Sequence, residues 1–133
     1  MVSVLLVSHS RLITDGLKEM IEEMTGRNDS IQIHSCGGSD DGGIGTDPTF
    51  ILETIEESSN SDVIYLFGDL GSGLLSIETA LDLIDDETLR SKCHYIDAPL
   101  VEGSFIGSVQ CLVDPSVEAV TREIRHYIES LNR

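Results

Sequence analysis

Apolar and polar positions along the chain change period repeatedly. Residues 2–7 (VSVLLV), 31–36 (IQIHSC), 63–67 (VIYLF) and 93–96 (CHYI) are short apolar runs rich in β-branched or aromatic side chains, and runs of that length and composition predict strands. Between them the spacing turns helical. Leu12, Ile13, Leu17, Met20, Ile21 and Met24 fall on one helical face, with Lys18, Glu19, Glu22 and Glu23 largely on the other, and Gly26 marks the stop. Phe50, Ile51, Leu52 and Ile55 predict a second helix after Pro48, and Leu74, Leu75, Ile77, Ala80, Leu81 and Ile84 a third. The tail adds two more, over 99–112 and 115–131, the latter opened by Asp114-Pro115, a cap and first-turn pair. Strand and helix in strict alternation predict an α/β fold: an open, mainly parallel four-stranded sheet flanked by helices. With 133 residues, the chain has the length of one domain, 1–133, around a single sheet.

Charge narrows the partners. Lys and Arg number 8 against 24 Asp and Glu, a formal charge of -16, so a nucleic-acid backbone or an anionic membrane surface would repel the chain and a basic partner is its complement. No stretch has the apolar length of a membrane span, and VSVLLV lacks the charged start and cleavage pattern of a signal peptide. A cytoplasmic protein is expected. Cys36, Cys93 and Cys111 are odd in number and widely spaced, which predicts reduced thiols in or near the core rather than a disulfide framework.

In open parallel sheets the functional crevice lies beyond the carboxyl ends of the strands. Four segments converge there: Ser8-His9-Ser10, the glycine-rich loop GGSDDGGIGTD over 37–47, Gly68-Asp69-Leu70-Gly71-Ser72, and Asp97-Ala98-Pro99. They bring an imidazole, carboxylates, hydroxyls and flexible backbone, with Arg11 the only basic residue nearby. His9 either finishes a strand as an ordinary polar residue or, as a neutral imidazole, serves as a nucleophile for a phosphoryl group. The amides at the start of the following helix would favour that group's negative charge. Asp69 either holds one ring nitrogen of His9 as N–H or caps the helix that starts near Ser72. Gly71 and Ser72 offer close backbone approach and a hydroxyl, and Ser10 and Thr46 offer further hydroxyls. The 37–47 loop has no lysine in a GxxxxGK[ST] pattern, which excludes a nucleotide P-loop. Asp40-Asp41 and the His34/Cys36 pair lack further ligands, so neither a metal nor a cofactor is expected. His94 should face away from Cys93, His126 should be solvated, and Asp82, Asp85, Asp86 and Glu87 read as a wet helix end or a docking surface.

VLLVSHS, GGSDDGGIGTD, LFGDLGSG followed by a helix, and DAPLVEGSFIGSV, in this order over about residues 2–112, resemble the DhaM family. These are the phosphotransfer subunits of bacterial dihydroxyacetone kinases driven by phosphoenolpyruvate, and they are similar to the IIA domain of the mannose-type sugar phosphotransferase system. The resemblance implies a relay. The carrier HPr phosphorylates the active histidine, which matches His9; the phosphoryl group then passes to ADP on DhaL, and the ATP formed phosphorylates dihydroxyacetone held on DhaK. It also implies that an aspartate after the third strand, matching Asp69, orients the histidine, and that the subunit forms homodimers. The apolar residues Leu100, Val101, Phe105, Ile106 and Val109 point the same way. Because the sequence shows one such domain, HPr is expected as a separate protein. A phosphoryl relay needs in-line positioning more than a cationic pocket, which would hold the phosphate too tightly.

Three other readings compete. A sugar-specific mannose-type IIA domain would pass phosphate to a IIB protein, but GGSDDGGIGTD and GDLGSG favour DhaM. A phosphorylation-sensing regulatory domain normally accompanies a DNA-binding module. A response-regulator receiver wants an acidic pair where this chain has Ser8-His9, and a lysine where it has Asp97-Ala98-Pro99.

Overall fold

The computed structural model describes residues 1–131, the side chain of Ser72 excepted. In chain order the elements are β1 (Val2–Val7), α1 (Arg11–Thr25), β2 (Ile31–Ser35), α2 (Pro48–Glu57), β3 (Val63–Gly68), α3 (Gly71–Asp82), α4 (Glu87–Ser91), β4 (Cys93–Tyr95), α5 (Leu100–Cys111) and α6 (Val117–Leu131). The four strands form one open, all-parallel sheet in the order β2-β1-β3-β4. The predicted α/β class is the observed one.

Parallel strands covered on both faces need continuous apolar sequence, and all six residues of β1 are buried. On one face Val2, Val4, Leu6, Ile33, Tyr65 and Phe67 meet Leu17 and Ile21 of α1, Leu100 of α5, and Val120 and Ile124 of α6. On the other, Leu5, Val7, Ile64 and Leu66 meet Ile51 and Ile55 of α2 and Ile77 and Ala80 of α3. Burying each such aliphatic side chain stabilises the fold by about 1.5–3 kcal/mol. Helix α1 stops where expected: Gly26 takes a left-handed φ of 77° and donates its N–H to the Glu22 carbonyl.

Several side chains depart from the sequence pattern. On α1 only Thr14, Leu17 and Ile21 are buried, whereas Leu12 is 84% exposed and Ile13, Met20 and Met24 are also exposed. The apolar arc of this helix is wider than the sheet surface it covers. Helix α5 turns its small residues inward: a Cβ on Gly103 would come within 2.8 Å of the Ala98 Cβ, and one on Gly107 within 3.1 Å of the Phe67 ring. Close seating on Phe67 leaves Val101 and Val109 exposed and Phe105 and Ile106 half-buried. Helix α4 was not anticipated. Its N-cap Asp86, which accepts from the N–H groups of Thr88 and Leu89, belongs to the acidic run that reads as a wet helix end. The three cysteines are free, and burial pushes Cys36 and Cys93 up to about 11 and Cys111 up to about 12. Among the described residues no helix is long and apolar enough to cross a membrane.

Candidate active site

From β1 the chain moves outward to β2 on one side, then returns past β1 to β3 and β4 on the other. The gap between the carboxyl ends of β1 and β3 is therefore the switch point at which such sheets build their sites. Val7 pairs with Gly68 across that gap. His9 follows shortly after the first and Asp69 directly after the second, so the backbone ladder sets them side by side.

The imidazole Nδ1 lies 3.0 Å from Asp69 Oδ1, the His9 backbone N–H donates to Asp69 Oδ2 at 3.1 Å, and the Ser8 hydroxyl donates to the same oxygen at 2.8 Å. The two side chains are only 23% and 19% exposed. Burial pulls the Asp69 carboxyl upward, but the hydrogen bonds from the Ser8 hydroxyl, from the His9 and Leu70 amides and from the His9 ring outweigh it and hold the group below its ordinary value. A carboxylate at Nδ1 favours the tautomer with N–H there and the nucleophilic lone pair on Nε2. Asp69 does not cap α3, whose N-cap is Leu70 and has no side-chain cap bond.

Ser10 is the N-cap of α1, also without a side-chain cap bond, and its own N–H donates to Ser8 Oγ at 3.1 Å. The 37–47 loop lies against this turn: Gly38 N–H donates to the Ser8 carbonyl at 3.0 Å and Gly45 N–H to the His9 carbonyl at 2.8 Å. Thr46, next along, places its hydroxyl 2.5 Å from that of Ser76 on α3. Gly71 opens α3 and is exposed; the Ser72 side chain lies outside the described residues. Two contributors escaped the sequence reading. Ser8 is wholly buried and serves Asp69 from below, a role the hydroxyl beside the histidine could have suggested. A Cβ on Gly73 would stand 3.0 Å from Asp69 Oδ1 and 4.0 Å from the His9 ring, so only glycine leaves this packing undisturbed.

The remaining candidates lie apart from the pair. Asp41 bonds within its own loop, to the Ser39 hydroxyl and the Gly43 N–H, and these bonds lower its pKa. Among the described residues no three His, Cys, Asp or Glu side chains gather as metal ligands. His34 lies 3.5 Å from the Ser58 hydroxyl, and its pKa is lowered by burial and by Lys18, against the opposing pull of Glu57. His94 sits beside the Tyr65 ring, 6.1 Å between centroids, and His126 is exposed on α6.

Comparison with known proteins shows the family. Residues 3–121 match the EIIA-man family model, described as the PTS system fructose IIA component. The phosphoryl donor subunit DhaM of PEP-dependent dihydroxyacetone kinase 2 from Listeria innocua is 52% identical, over 93% of this chain and 97% of that one. A DhaM from Providencia stuartii is 37% identical over 98% of this chain, which matches 27% of that longer protein. The crystal structure of EF1359, a protein of unknown function, aligns with a TM-score of 0.84 at 43% identity, covering 94% of this chain and 93% of that one. The chain belongs to the EIIA-man family and, within it, to the DhaM group.

Proposed function

We propose that this chain is a phosphohistidine carrier, which takes a phosphoryl group from phospho-HPr onto His9 and delivers it to ADP bound on DhaL, so that the complex with DhaK can phosphorylate dihydroxyacetone. The observation that carries this reading is the His9–Asp69 pair at the β1/β3 switch point. The names of the similar DhaM subunits support the dihydroxyacetone kinase assignment.

The Nε2 lone pair attacks phosphorus as the bond from phosphorus to the donor's ring nitrogen breaks, and the donor ring departs with that electron pair. The His9 ring then bears positive charge, which the Asp69 carboxylate stabilises while Nδ1 keeps its proton. First-turn amides of α1 and α3 favour the phosphoryl oxygens, with Ser10, Thr46, Gly71 and Ser72 as the surrounding groups. In delivery, a terminal phosphate oxygen of ADP attacks the same phosphorus, the P–O bond of ATP forms as the P–Nε2 bond breaks, and His9 keeps that electron pair as a neutral imidazole. Such a carrier works in the cytoplasm with HPr, and we include in the proposal a homodimer formed through the outward face of α5.

The test uses phosphoenolpyruvate, enzyme I and HPr, with mass spectrometry under conditions that preserve acid-labile phosphate. His9→Ala should lose the label, while His34→Ala, His94→Ala and His126→Ala keep it. Labelling that survives without His9 would sink the assignment. Adding DhaL with ADP to the labelled protein should drain it. Draining by a IIB protein instead would favour a sugar-specific IIA role.

A further inference from the structure

Arg11 is the single basic residue that the sequence places beside His9, yet its guanidinium is engaged elsewhere. Its Nε–H donates to the Gly37 carbonyl at 2.8 Å, and its Cζ stands 4.9 Å from the centroid of the Phe50 ring. Gly37 opens the glycine-rich loop, and Phe50 lies in the first turn of α2, just past the loop's last residue. One side chain thus touches both stems of the 37–47 loop. The loop in turn touches both halves of the site, through Gly38 and Gly45 on the carbonyls of Ser8 and His9 and through Thr46 on Ser76 of α3.

We propose that Arg11 is a positioning residue that staples the two stems of this loop and thereby fixes the backbone of His9 for phosphoryl transfer. A loop rich in glycine has many conformations to lose, and a tie between its ends removes much of that freedom before the donor arrives. The local fit is close. A Cβ on Gly37 would lie 2.5 Å from the Ser10 carbonyl oxygen, and one on Gly38 3.2 Å from the Arg11 Cβ, so the first stem lies directly on the start of α1. Gly37 N–H also donates to Thr14 Oγ1 at 3.0 Å, and Asp47 caps the Phe50 stem, so each stem is anchored by itself and the Arg11 side chain reaches from one to the other. The sequence signal for such a role was the solitary cation at a site that has little use for positive charge.

This inference rests on His9 as the phosphoryl acceptor, and its test separates the two ideas. Arg11→Met keeps the aliphatic stem but loses the charge and the donor; Arg11→Lys keeps a cation over Phe50 but loses the fixed guanidinium geometry. Amide hydrogen exchange is expected to quicken about ten-fold at Gly38 and Gly45 in Arg11→Met, with β3 amides unchanged and Arg11→Lys intermediate. Transfer from phospho-HPr should lose about the same factor in kcat with KM unaltered. Wild-type exchange and wild-type kcat in Arg11→Met would overturn the proposal, and so would a loss confined to KM, which would make Arg11 a contact for the donor. If His9→Ala still labels, the acceptor assignment fails instead, whatever the exchange data show.

Discussion

Asp69 is a residue whose two possible duties call for different side chains. A cap would tolerate Asn, which caps about as well as Asp; a group that steadies positive charge on an imidazole would not. Because Leu70 occupies the N-cap position of α3 and Asp69 takes bonds from Ser8 and His9, Asp69→Asn is expected to fold normally yet transfer phosphate slower by about two to three powers of ten. Stopped-flow transfer from phospho-HPr checks the rate, and equal rates would remove Asp69 from the site. Acid gives a second signature. The folded carboxyl titrates below its ordinary 3.8, so its stabilising contribution is complete above that value and is lost as pH falls through the lower folded pKa. The stability gap between wild type and Asp69→Asn, from urea melts, should narrow as pH falls below 3.8 through the lower folded pKa of the carboxyl. His9 and Asp69 were legible in the sequence because each ends an apolar run. Ser8 and Gly73 were not, since their parts depend on one carboxylate turning back across two strands.

Among the elements, α2 offers the clearest test of how the loop ends. Asp47 accepts from the N–H groups of Thr49 and Phe50, and Pro48 follows it at the first helical position. Asp47→Ala should lower stability by about 1 kcal/mol and Asp47→Asn should change it little; urea denaturation followed by circular dichroism measures both. A silent Asp47→Ala would mean that Pro48 and the packing of Ile51 and Ile55 suffice to start the helix. The strands and the five longer helices could be read from periodicity together with run length and the breakers Gly26, Pro48 and Asp114-Pro115. The failures have local causes. Helix α4 is short, and its cap Asp86 stands among Asp82, Asp85 and Glu87, which hides a folding signal inside a charge run. The inward face of α5 carries Gly103, Ser104, Gly107 and Ser108 together with Leu100, so Leu100, expected in the outward apolar set, is instead part of the core.

At the scale of the whole molecule, the outward side of α5 becomes the question. Val101, Val109 and Leu112 are exposed beside half-buried Phe105 and Ile106, which is the apolar surface that the proposed homodimer would cover. Light scattering at micromolar concentration should give twice the 14.5 kDa chain mass, and Val109→Asp together with Leu112→Asp should return it to one. A wild-type value of one chain mass would contradict the dimer. A different consequence follows from the pairing of Val7 with Gly68. The proposed chemistry hangs from two short turns at the end of a ladder whose own side chains are almost wholly apolar, so the turns and the ladder answer to separate demands. In evolutionary terms the pair of turns is a cassette: Ser8-His9-Ser10 and Asp69-Leu70-Gly71 could be exchanged for other side chains while the strands beneath keep the same sequence.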